Sequence, residues 1–136
     1  MRRMLKEVPI KSAKQIEFID ITAEVQNALK ESRIENGLCV VYAPHTTAAI
    51  TINENADPDV IADMIAKLNA LVPENGNYAH SEGNSDAHIK SSLLGCEKVL
   101  LIRKGKLLLG KWQGIYFCEF DGPRERKVFI KIQNSD

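Results

Sequence analysis

Three histidines carry the strongest chemical signal in this chain: His45, His80 and His88. His45 follows an apolar run. His80 sits in a long polar stretch, and His88 falls near the start of a short helical segment. None lies on a regular amphipathic stripe. Their neighbours are polar: Asn53, Glu54, Asn55, Asn75, Asn77, Glu82, Asn84 and Asp86. Three imidazoles with a fourth position left for water suit a catalytic zinc site, whereas structural zinc prefers a closed, cysteine-rich shell. A helix N-terminus beside His88 disfavours the imidazolium and keeps the ring available to a metal. The alternative is that each ring makes a loop hydrogen bond and nothing more, and the spacing matches no short zinc motif.

A second group is basic and aromatic, with carboxylates following: Lys104, Lys106, Lys111, Trp112, Gln113, Glu119, Asp121, Arg124 and Arg126. On an extended chain Trp112, Tyr116, Cys118 and Phe120 share one face, and Gln113, Ile115, Phe117 and Glu119 the other. Glu119 there serves as a general base, a ligand or the partner of an arginine. Arg124 follows a Gly-Pro turn, where a guanidinium fork suits phosphate; the RERK run also reads as a solvated hairpin end. There is no glycine-rich phosphate loop, no Ser-His-Asp order and no nucleophilic-cysteine signature.

These residues need elements to position them. Residues 3–11 and 15–21 read as two strands. Thr22 caps a helix to about Glu35, which Asn36-Gly37 stops. LCVVYA (38–43) is a continuous apolar run that reads as a strand covered on both faces. The segment after Pro44 places His45, Thr47, Thr51 and Asn53 on one face and Ala48, Ile50 and Ile52 on the other. Asp57-Pro58 opens a second helix, whose stripe of Val60, Ile61, Met64, Ile65, Leu68 and Leu71 packs on a core. A long loop after Pro73 leads to a short helix capped by Asp86 and stopped by Gly95. VLLI, LLLG, WQGIYFCEF and VFIKI supply the last strands. Strands at both ends around two or three helices predict an α+β fold or a sandwich with helical insertions, not a βαβ series.

The chain has 136 residues, 18 basic and 18 acidic, which suits one domain spanning 1–136. With zero net charge no global field gathers nucleic acid, and no apolar run spans a bilayer. The expectation is a cytoplasmic protein with no leader peptide, no nucleic-acid partner and no membrane partner. Cys39, Cys96 and Cys118 form no CxxC pair, and Cys39 and Cys118 read as buried, reduced thiols.

HTTAAITINENADPDV (45–60), NYAHSEGNSDAHIKSSLLG (77–95) and GKLLLGKWQGIYFCEFDGPRERKV (105–128) closely resemble the YjbQ-like family, also labelled the secondary thiamine-phosphate synthase type. The resemblance covers nearly the whole chain. It implies a β-sandwich resembling a jelly roll with flanking helices, assembled as a homotrimer. It also implies a polar cleft at or near subunit interfaces, where histidines gather and metal binds. The implied activity joins a hydroxymethylpyrimidine diphosphate to a thiazole phosphate with loss of diphosphate. Matching positions are His45, Asn53, Glu54, His80, Glu82, Asp86, His88, Trp112, Gln113, Glu119 and Arg124, with Thr47 where many members carry serine. On this reading Glu119, Arg124 and Glu54 are catalytic; Asn53, Thr47, Gln113, Lys111 and Asp86 bind substrate; and His45, His80 and His88 hold a divalent metal. Imidazole ligation points to zinc, with magnesium accompanying a diphosphate substrate. The alternative is a trimer that captures a metal or small anion without turnover.

Overall fold

The computed structural model describes residues 3–135. Eight strands and three helices follow in the order β1 (Arg3–Lys11), β2 (Glu17–Asp20), α1 (Thr22–Ser32), β3 (Gly37–Tyr42), β4 (Ala48–Glu54), α2 (Pro58–Leu71), α3 (Ser85–Leu94), β5 (Glu97–Arg103), β6 (Lys106–Leu107), β7 (Gln113–Glu119) and β8 (Glu125–Asn134). One sheet has the order β1-β8-β3-β5-β6 and the other β2-β7-β4; every pairing is antiparallel. The expected α+β class forms, with three helices where two or three are expected.

Alternation along the strands decides the layers. Cys39, Val41, Leu100, Ile102, Val128, Ile130 and Ile132 point inward from the large sheet. They meet Ile50, Ile115 and Phe117 of the small sheet and Val25, Ala28 and Leu29 of α1 in the main core. Ala49, Tyr116, Cys118 and Phe120 point the other way and pack with Ala87 of α3. Ile61 and Leu68 of α2 join this second, smaller cluster. Burying such residues is the main stabilising term in the fold, at about 25 cal/mol per Å² of apolar surface.

Four local expectations need correction. First, α1 ends at Ser32, because Arg33 takes a left-handed conformation (φ 59°) and Gly37 opens β3 instead of stopping the helix. Nor does Thr22 cap it; Asp20 Oδ1 accepts from the Thr22 amide at 2.9 Å and its hydroxyl at 2.6 Å. Second, β3 is covered on one face only. Its outward residues Leu38 and Tyr42 are exposed beside Val99 and Leu101 of β5 and near Leu5 of β1. Third, α2 starts as expected, with Asp57 accepting from the Asp59 amide at 2.9 Å, but buries no residue fully, and Leu71 is exposed. Fourth, Asp86 does not cap α3. Asn84 occupies that position without a side-chain cap bond, while Asp86 is buried against Lys90.

Candidate functional site

Two inward-pointing charges face each other across the main core edge. Period two along β7 sends Glu119 to the side of Ile115 and Phe117, and along β8 sends Arg126 to the side of Val128 and Ile130. Glu119 is 0% exposed. Its Oε1 accepts from Ser12 Oγ at 2.8 Å and Arg126 Nε at 2.9 Å; its Oε2 accepts from the Asp121 amide at 3.0 Å and from Arg126. Burial pushes this carboxyl up, but the hydrogen bonds from Arg126, Asp121 and Ser12 outweigh it and leave the group below its usual value. The guanidinium also donates to Thr47 Oγ1 at 2.7 Å and Thr47 O at 3.2 Å. Thr47 is thus fixed from behind by a buried ion pair.

That pair anchors the segment before β4, which carries His45. Beyond the end of β3, the peptide of Lys127 in β8 faces His45 instead of a neighbouring strand. His45 Nε2 lies 3.0 Å from Lys127 O and 3.1 Å from Lys127 N, so one ring nitrogen continues the ladder. The ring also meets Phe117 edge-on at 6.1 Å. Burial lowers the His45 pKa; the Lys127 carbonyl works against this, and the Arg126 charge adds to the fall. His45 is therefore neutral at pH 7.

From the other side, α3 contributes His88, Ser91 and Ser92, which share one helical face at i, i+3 and i+4. Ser91 Oγ donates to Ala48 O at 2.6 Å and ties the helix to β4. Together with Thr46, Gly95, Cys96 and Glu97 these residues line an open cleft of about 520 Å³ around His45 and His88. This is the size of a small-molecule site. His80 lies outside that lining, but its ring stands edge-on to His88 with centroids 5.7 Å apart, and its Nε2 is 3.8 Å from Glu82 Oε2. Within one chain, no group of three or more His, Cys, Asp or Glu side chains among the described residues is arranged to hold a metal ion. Two imidazoles are paired and the third stands across the cleft, so the expected three-histidine shell is not closed by this chain alone.

The remaining expected residues lie elsewhere. β4 and β7 run side by side, with Ala48 opposite Glu119 at one end and Glu54 opposite Gln113 at the other. Six residues of strand separate the ends by about 20 Å. At the far end Asn53 Oδ1 accepts from the Glu54 amide, Glu54 Oε2 from the Asp57 amide, and Gln113 Oε1 from the Gly110 amide. Lys111 stacks its ammonium over the exposed Trp112 ring at 4.8 Å. Arg124 does not meet Glu119. Its Nε donates to Asp121 O at 2.8 Å and its guanidinium pairs with Asp121 Oδ2 at 3.2 Å, leaving the side chain 49% exposed. Asp86 is closed off by Lys90 Nζ at 3.0 Å, which also donates to Asn69 Oδ1.

Sequence reasoning missed Arg126 as the partner of Glu119, although alternation with Val128, Ile130 and Ile132 marks it as inward. It also missed Ser91 and Ser92, whose spacing from His88 on a helix was the available signal. Cys96 and Glu97 carried no signal; they enter the cleft because β5 begins where α3 ends.

A family model described as "UPF0047 protein YjbQ-like" matches residues 6–135. A UPF0047 protein of Methanocaldococcus jannaschii is 55% identical over 130 residues, covering 96% of this chain and 94% of the relative. The UPF0047 protein YugU of Bacillus subtilis is 52% identical, covering 95% and 98%. Among solved structures, an uncharacterized YjbQ/UPF0047 protein of Clostridium acetobutylicum superposes with a TM-score of 0.93 at 55% identity, over 94% of this chain and 99% of that one. A protein of unknown function from Sulfolobus solfataricus gives 0.95 at 33% identity, over 98% and 99%.

Proposed function

The chain belongs to the UPF0047 YjbQ-like family, and from this premise and the cleft between His45 and His88 we propose that it is an enzyme acting on a small phosphorylated heterocycle, of the secondary thiamine-phosphate synthase type. The carrying observation is the cleft itself: two imidazoles and the Ser91–Ser92 hydroxyls around about 520 Å³. In the reaction, the bond from the pyrimidine methylene to diphosphate oxygen breaks, the diphosphate keeps the electron pair, and the thiazole nitrogen forms the new C–N bond.

The residues have separable tasks in this reading. His45, held neutral, and His88 offer N–H donors to diphosphate oxygens, and such fixed donors stabilise charge as it develops. Glu119 has every oxygen engaged in hydrogen bonds, so it serves as the positioning residue for Arg126 and Thr47 and takes no proton. Arg124 exchanges Asp121 for a substrate phosphate. A divalent ion, zinc by its donors, requires ligands beyond the His80–His88 pair.

A homotrimer belongs to the same reading. The outward face of the large sheet leaves Leu5, Leu38, Tyr42, Val99 and Leu101 exposed, and apolar surface of this kind marks an interface. The two sheets facing across Phe117 are read as the jelly-roll sandwich of the resemblance.

The test is diphosphate release and thiamine phosphate formation from the two precursors, with zinc or magnesium supplied. Turnover in wild type that falls in His88→Ala and Arg124→Lys, both folded, supports the enzyme. Absence of turnover with either metal leaves the binding protein as the better reading.

A further inference from the structure

Five cations gather at one end of the molecule, with Glu31 and Glu35 interspersed among them. Arg103, Lys104 and Lys106 occupy the hairpin between β5 and β6, and Lys30 and Arg33 lie at the C-terminal end of α1, which packs against β6. Two backbone bonds fix the elements to each other: Gly105 N donates to Glu35 O at 2.8 Å and Lys104 N to Asn36 Oδ1 at 3.3 Å. Among the described residues, none of these five cationic side chains has an ion pair or hydrogen bond. Arg103 is paired directly with Lys106 across the hairpin, where like charges repel.

Two of these cations, Lys30 and Lys106, border a cavity. Between α1 and the hairpin lies a space of about 490 Å³ lined by Gln26, Asn27, Leu29, Lys30, Lys106 and Leu107. Two leucines line it with apolar surface, two side-chain amides offer donors and acceptors, and two exposed lysines add positive charge. Solvation of a hairpin tip explains scattered lysines; it does not explain two unpaired lysines, one from α1 and one from β6, lining the same cavity of ligand size. The histidine cleft begins at Glu97, at the opposite end of β5, about 20 Å away by strand rise.

The geometry points to a second site, at the α1–β6 cavity, for a small organic phosphate whose ring lies against Leu29 and Leu107 and whose phosphates meet Lys30 and Lys106. ADP, AMP and inorganic phosphate serve as probes, titrated by calorimetry into wild type, Lys30→Ala/Lys106→Ala, Lys30→Arg/Lys106→Arg and the control Lys67→Ala. Expected is saturable ADP binding, one per chain and weakened by salt. It weakens at least about tenfold in the alanine pair and survives in the arginine pair and the control. Inorganic phosphate competes weakly, because it lacks the ring. Three outcomes overturn the assignment: no saturable binding of ADP or AMP, equal weakening in Lys67→Ala, or a single-stranded RNA oligomer that displaces ADP and occupies several copies at once. Diphosphate release in the histidine cleft is read separately, so failure here leaves that reaction untouched.

Discussion

Glu119 and Arg126 are stable as a pair and costly as halves. Arg126→Met leaves a buried, uncompensated carboxylate, and the expected loss is about 3–5 kcal/mol, read by urea unfolding. The pH dependence follows from the direction of the shift. The folded Glu119 carboxyl sits below its unfolded value near 4.5, so its contribution is complete above that pH and declines as pH falls through the lower, folded value. Glu119→Gln should show a shallower stability loss below pH 4.5 than wild type, measured as the unfolding midpoint from pH 6 to pH 3. At the thiols, burial raises Cys39 to about 12 and lifts Cys118 as well. Both are free and buried, while Cys96 is half-buried at the cleft. A bulky thiol reagent should therefore label Cys96 first in the native protein, and rapid native labelling of Cys118 would contradict its packing against Ala49 and Phe120.

Among the elements, α2 and α3 are held by different means. α3 is fastened by Ala87, by the Ser91 bond to Ala48 and by Lys90, which is 1% exposed and pairs with Asp86. α2 buries none of its residues fully and relies on Ile61 and Leu68 against the smaller cluster. Few buried contacts mean a low free energy of local opening. Amide exchange in α2 should be faster than in β3, β7 and β8; equal protection in a monomeric variant would refute this. Removing its cap by Asp57→Ala should cost about 1 kcal/mol in unfolding free energy and accelerate exchange in α2 selectively.

For the whole molecule, the trimer proposal rests on the outward face of the large sheet. Leu101 is 55% exposed and Val99 56% exposed, with Leu38 beside them. Light scattering is expected to report a trimer for wild type and a smaller species for Leu101→Lys, with the circular dichroism spectrum retained, because these side chains support no intrachain core. If the site is completed between copies, the same variant loses zinc uptake in equilibrium dialysis along with His88→Ala. A monomeric wild type at micromolar concentration would remove both the trimer and the shared cleft.

Much of this was written in local pattern. Alternation in WQGIYFCEF separates the Tyr116–Cys118–Phe120 side from the Ile115–Phe117–Glu119 side, and the two clusters divide along that line. Asp57-Pro58 starts α2 where expected, because a cap and a proline at the first turn act within four residues. Composition and motif order were enough to reach the family. Pairings at long separation were not legible: Glu119 meets Arg126 and not Arg124, Asp86 is consumed by Lys90, and His45 is held by the peptide of Lys127. Which apolar face is covered also depends on neighbours in space, so LCVVYA reads as buried on both sides although β3 covers only one within the chain. Periodicity assigns a side chain to a face, but strand register and sheet order decide what stands opposite it, and those are set only when distant segments pair.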